Sequence, residues 1–307
     1  MENRIYYLDC ARALGIIGVV YGHVFGFENI ISTWFFSFHV PLFFIISGVL
    51  VSEKRSTIIG ILKKNAKKLI VPYLWFSIPF IMYEIYKMGM VGLETSISKT
   101  VCGYGMSALW FLPALFWGLS LFRIFLLVFI KISSKWLLYI ICTVIFVLPF
   151  LIRTESVVGI VFLRVCTAVG FIGFGHFISL WINKRTINNM IGMLILIINL
   201  GATWVNGAVD LYELNYGNPV LYFIQATTGS VAILVFCKNI CFKETLFSCI
   251  GRNTLTIMAT HQMVIIVITQ FVSDEKIVFL LTMVVEIPIV YVINKYFPFV
   301  LGKTKEQ

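Results

Sequence analysis

The sequence predicts an all-α, polytopic integral membrane protein of about ten transmembrane helices with both termini cytoplasmic. Three observations carry that reading. The 307 residues are 60% apolar and only 12% charged, about half the charge of an average soluble chain. The mean hydropathy is +0.95, and the apolar runs are continuous rather than alternating, which disfavours a barrel. Aromatic residues make up 16%, with 28 Phe, which suits lipid-facing helices and interfacial belts. No stretch between the apolar runs is long enough for a soluble domain, so residues 1–307 read as one membrane domain.

Ten segments are apolar enough to span, at about 8–27, 33–52, 69–88, 107–130, 136–152, 158–181, 189–206, 219–237, 253–272 and 277–300. Asp9 and Arg12 interrupt the first, and no small-x-small site follows it, so it reads as a retained span and not a cleaved signal. With the N-terminus inside, the inner loops collect Lys54, Arg55, Lys63, Lys64, Lys67 and Lys68, then Lys131 and Lys135. Lys184 and Arg185, Lys238, Lys243 and Arg252, and finally Lys303 and Lys305 follow. The outer loops hold Lys99, Arg153 and Lys276 among Glu28, Glu94, Glu155, Asp210, Glu213, Asp274 and Glu275. That asymmetry fixes the orientation. It also accounts for the net charge of +10 without nucleic acid. The seven Cys include no CxxC pair, and Cys237 and Cys241, one helical turn apart, read as packing residues; no metal site is expected.

The first span is the most informative. LDCARALGIIGVVYGHVFGF (residues 8–27) carries Asp9, Arg12 and His23. Eleven residues separate Arg12 from His23, three turns plus about 20°, so they share one face about 16 Å apart. Asp9 lies within about 40° of the same line. Each group would cost about 2.5–3.5 kcal/mol in lipid, so the stripe is expected to line a polar site. His39 in span 2, Glu84 in span 3, Trp110 in span 4 and Arg164 in span 6 all fall in outer halves and could converge with His23 on one outward cavity. His261 lies near mid-depth of span 9, Glu286 near mid-depth of span 10, and His176 in the inner half of span 6.

Each has a plainer reading. A membrane histidine can simply bond a backbone carbonyl. Arg12 can snorkel as an interfacial anchor, and Asp9 can serve the helix N-terminus and pair with Arg12. Trp110 can be a belt residue, and Glu286 a proton carrier, a partner for a base or a satisfied bundle carboxyl. Arg164 is too deep for anchoring and is expected to pair with Glu84 or a ligand anion. The lysines of KKNAKKLIVPY can serve topology and anionic membrane lipids or dock a polyphosphate.

RIYYLDCARALGIIGVVYGHV, FFSFHVPLFFIISGVL, KKLIVPYLWF, LWFLPALF and NTLTIMATHQ occur in an order that resembles the acyltransferase-3 superfamily, and most of all its fucose-4-O-acetylase-like branch. The resemblance spans nearly the whole chain. It implies a multi-pass enzyme of the bacterial cytoplasmic membrane that takes acetyl from cytoplasmic acetyl-CoA, with no metal. The acceptor it implies is a sugar hydroxyl of a surface polysaccharide or of its polyprenyl-linked precursor. The family's Arg-x10-His element falls on Arg12 and His23, and its FHxPLFF motif on His39. Where larger relatives carry two arginines before the third span, this chain has Lys64 and Lys67.

On that reading His23 is the general base, because neutral imidazole accepts a proton near pH 7. His39 orients His23, carries a second proton or donates to the oxyanion. Arg12 with Asp9 lines the donor's channel, and Lys64, Lys67 and Lys68 hold the donor's phosphates. Glu84, Trp110, Arg164 and His261 contact the sugar, on which Trp can stack. The polar stripe fits two other classes as well: a transporter or flippase for a lipid-linked sugar or small solute, and a non-catalytic scaffold.

Overall fold

The computed structural model describes residues 5–54, 56–132, 134–182, 187–240 and 244–303. Arg55, Lys184, Arg185, Cys241, Lys243 and Lys305 lie outside the described residues. The first span is α1 (Tyr6–Phe25). The second is broken into α2 (Ile30–Phe36) and α3 (His39–Val49). Pro41 has no N–H to bond the Ser37 carbonyl, so the helix breaks just before His39 and restarts with Pro41 in its first turn. The chain continues through α4 (Ile58–Asn65), a π-helical turn (Ala66–Ile70) and α5 (Val71–Val101). A 3₁₀ turn (Ser107–Trp110) leads into α6 (Phe111–Lys131). Then come α7 (Lys135–Leu151), α8 (Val157–Ile182), α9 (Asn189–Asn206) and α10 (Pro219–Ile240). Last are α11 (Leu246–Arg252), α12 (Thr254–Ile268), α13 (Glu275–Tyr296) and a 3₁₀ turn (Pro298–Leu301).

Among the described residues eight helical stretches are long and apolar enough to cross a membrane; α7 and α12 are apolar but shorter. Every segment expected to span falls on one of these helices. Among the described residues the only extended pairing is a single antiparallel bridge, Asp210 to Asn215, in the loop between α9 and α10. The protein is an all-α polytopic membrane protein.

Helices α3 and α8 approach backbone to backbone. A Cβ on Gly48 would strike the Ile172 carbonyl, and one on Gly175 would strike the Ile45 carbonyl. Small residues are how membrane helices gain close packing without a hydrophobic drive between them. Gly175→Val is therefore expected to destabilise the fold by about 2–3 kcal/mol or more, seen as a lower thermal midpoint in detergent. An unchanged midpoint would show that α3 and α8 do not meet at this residue.

The third span, expected at 69–88, breaks at Gly89, but the helix then continues to Val101. Gly89 adopts φ +61, ψ −138, open to glycine but not to a residue with a Cβ. The chain reverses there, and α5 becomes a helical hairpin. The Tyr73 hydroxyl donates to the Thr100 carbonyl at 2.9 Å, and Gly92 lies against the Glu84 carbonyl. From Tyr73 to Met88 the first arm rises about 22 Å. Arg164, which bonds Tyr104 close by, is only about 10 Å from the start of α8. The second arm of the hairpin leads back to Tyr104 and so to Arg164.

Candidate active site

His23 sits in the last turn of α1. Its ring stands edge-on to Phe36 with centroids 6.2 Å apart, and Phe36 in turn meets His39 edge-on at 5.0 Å. The His261 ring lies 5.2 Å from that of His23. Three of the four histidines, drawn from α1, α3 and α12, therefore converge. The break before His39 is what aims it there.

The three rings are not equivalent. His39 is 4% exposed and His261 0%, whereas His23 opens to a cavity. The Nδ1 of His39 is 2.8 Å from the Phe35 carbonyl, and the Nδ1 of His261 is 2.8 Å from the Ile257 carbonyl. A carbonyl only accepts, so Nδ1 carries the hydrogen in both rings, and in the neutral ring Nε2 is left as a lone-pair acceptor. The Nε2 of His261 is buried with no hydrogen-bond partner among the described residues.

The cavity holds about 60 Å³, room for a few water-sized groups. His23 and His39 form one wall, Trp110 and Phe111 a second, and the loop residues Asp210 and Tyr212 a third. Met258 of α12 closes it near His261, which stands behind His23 rather than on the cavity surface.

Arg164 builds the third wall. It is 2% exposed and its donors go to backbone carbonyls: Nε to Tyr212 at 3.1 Å, Nη2 to the same oxygen, and Nη1 to Tyr104 at 2.8 Å. Its guanidinium also packs over the rings of Tyr212, Tyr104 and Trp110 at 4.3, 4.5 and 5.1 Å. The charge thereby stays hydrogen-bonded and stacked away from lipid. Burial, reinforced by Tyr104, pushes the Tyr212 phenol pKa well up, so it remains a neutral donor.

The expected pairing of Arg164 with Glu84 does not form. The Gly89 reversal carries Glu84 onto the hairpin, about 16 Å beyond Tyr73, where Lys87 is its charged neighbour. Glu84→Gln is accordingly expected to change acyl transfer by less than about twofold, as for other surface exchanges; a large loss in a transfer assay would bring Glu84 back to the site.

Asp9 and Arg12 are ion-paired at 3.2 Å one turn into α1, at the end of the helix remote from His23. Asp9 is buried and Arg12 partly so. Lys64, Lys67 and Lys68 are exposed, while Asn65 between them is buried and bonds Ser120 at 3.0 Å. Ser120 is two and a half turns along α6 from Phe111, so these lysines do not reach the histidine cavity. Glu286 accepts from the Thr260 hydroxyl at 2.8 Å through both oxygens, the satisfied-carboxyl reading. His176 meets the Tyr139 hydroxyl at 3.0 Å and Glu53 at 3.7 Å at the Arg12 end.

Two site residues went unforeseen in the sequence. Asp210 counted there only as an outer-loop residue and Tyr212 not at all; the fold brings them to the cavity that His23 lines, with Arg164 bonding the Tyr212 carbonyl. Among the described residues no group of three His, Cys, Asp or Glu is spaced to hold a metal ion.

The family model for the acyltransferase-3 domain, described as an acyltransferase domain, matches residues 5–302. No curated protein and no solved structure matches the chain. The chain belongs to the acyltransferase-3 family and is a membrane acyltransferase.

Proposed function

We propose that the protein is an O-acetyltransferase. It moves acetyl from acetyl-CoA, reached from the cytoplasmic side, to a sugar hydroxyl of a bacterial surface polysaccharide or its lipid-linked precursor, with His23 as general base. The observation that carries this reading is the histidine cluster on a small cavity in a chain of acyltransferase ancestry. That ancestry favours transfer over the transporter and scaffold readings.

His23 presents its ring to the cavity, where it accepts the hydroxyl proton as the oxygen attacks the acyl carbon. The same imidazolium then returns the proton to the leaving sulfur as the carbon–sulfur bond breaks. His39 and His261 flank it, each held in place by its Nδ1 bond to a carbonyl of its own segment. Acetyl-CoA supplies the activated acyl group. The cavity fits a short acyl group and one hydroxyl. The sugar ring is left at the mouth, against Trp110 and the loop carrying Asp210. Arg12 and Asp9, about 16 and 21 Å from His23 along the helix, line the approach rather than the reacting atoms.

The test is acetyl transfer by purified protein in bilayer discs, with labelled acetyl-CoA and the glycan of its host. Ester on the glycan together with free thiol is expected. Thioester that stays intact while a sugar crosses the bilayer would overturn the reading in favour of transport.

A further inference from the structure

A second, wider cleft lies at the other end of the bundle. It has a volume of about 680 Å³, between the start of α12 and the last turns of α13. Tyr21, near the end of α1, packs on Phe279 early in α13, so the last turns of α13 lie at the Asp9 end. There Gly251 lies directly on the Asp9 backbone, and Arg252 and Asn253, the next two residues, enter the cleft.

Its charged lining is Arg252, Lys295 and Lys303. The two lysines are held by neutral groups. Lys303 Nζ donates to the Asn294 amide oxygen at 2.8 Å, and Asn294 donates to the Asn253 oxygen at 2.9 Å. Lys295 Nζ donates to the Tyr291 hydroxyl at 2.7 Å and lies over the rings of Tyr291 and Tyr296. Among the described residues only Arg252 has a carboxylate partner, Glu244. Three cations and one carboxylate leave two positive charges, both ordered and neither neutralised by an acid. Burial pushes the Lys303 pKa down, a cost that a bound anion would offset. Beside Lys303, Gly302 lies on the carbonyl of Lys67 in the basic π-helical turn.

We propose that this cleft is a phosphate-binding site that takes a phosphomonoester or pyrophosphate group through Arg252, Lys295 and Lys303. A guanidinium fork beside two ammonium groups matches the several oxygens and double charge of such a group better than a carboxylate. The phosphate is either that of a soluble ligand or that of a lipid headgroup. Under the acyl-transfer reading, on which this one consequence rests, the soluble source is the donor, docked beside the Asp9 and Arg12 foot of α1.

The test is a lysine footprint of the whole protein with an amine-acylating reagent, read residue by residue by mass spectrometry. In discs of phosphatidylcholine, inorganic pyrophosphate is expected to slow labelling of Lys295 and Lys303 about tenfold, with Lys87 on the hairpin unchanged. Protection by pyrophosphate alone assigns the site to a soluble phosphate. Equal protection in discs containing phosphatidic acid, whose headgroup is a phosphomonoester, without pyrophosphate, assigns it to a lipid headgroup. No protection in either arm overturns the proposal. Arg252→Gln should raise the half-protecting pyrophosphate concentration about tenfold; an unchanged value also overturns the three-cation site. Neither arm needs turnover, so failure to form a sugar ester would leave this result standing.

Discussion

His23→Ala lowers acetyl transfer about 10²–10⁴-fold, the usual contribution of a positioned general base, with membrane abundance unchanged. The separation of activity from folding comes from the geometry. His23 opens to a cavity, so its loss removes little buried surface. His39 and His261 are buried and bonded to carbonyls in their own helices, so the same change there mixes chemistry with stability. The decisive readout is kcat at matched protein, alongside the thermal midpoint. A variant that transfers acetyl at the wild-type rate sinks the base assignment. A variant whose midpoint falls with its activity shows that His23 is structural. His39→Ala is the useful contrast, because both quantities should fall together.

Arg164→Met destabilises the fold by about 2–5 kcal/mol, since it leaves two buried carbonyls without donors at about 1–3 kcal/mol each and removes a cation stacked on three rings. Met fills much of the space, so the loss is one of bonding more than of volume. The loop carrying Asp210 and Tyr212 then loses its tie to α8, and transfer falls with it. Arg164→Lys does not restore the wild type, because one ammonium cannot reproduce the fork that reaches both Tyr212 and Tyr104. Thermal midpoint and limited proteolysis of the 207–218 loop check this. The opposing result is a raised KM for the acceptor at an unchanged midpoint and an intact loop. It would mean that Arg164 binds substrate, as its depth in the sequence first suggested.

The helices were legible in the sequence because a bilayer demands long apolar runs, and each expected segment falls on an apolar helix. The face shared by Arg12 and His23 was legible because eleven residues make nearly three whole turns. The meeting of His23, His39 and His261 was only half legible. Equal depth placed His39 beside His23, but helix order around the bundle is not written in any one span. Glu84 was placed by depth alone, and nothing in the sequence marked Gly89, one residue past the expected span, as the point where the helix breaks. Asp210 escaped notice because loop residues reach a site only through a tertiary tie, here the buried Arg164. The basic stretch before span 3 was visible. The partner cations Arg252, Lys295 and Lys303 were scattered over fifty residues of sequence, and the folding of α12 against α13 gathers them.

The Gly89 hairpin gives the molecule a natural gauge of its own orientation. Its second arm returns to Tyr104, which Arg164 bonds beside the histidine cavity, so tip and cavity share one end of the bundle and one compartment. A single cysteine at Met88, in a background without reactive thiols, would be blocked by a membrane-impermeant maleimide on intact cells if that compartment is external, and only after lysis if it is internal. Because tip and cavity share an end, one labelling result also says from which side the acceptor arrives.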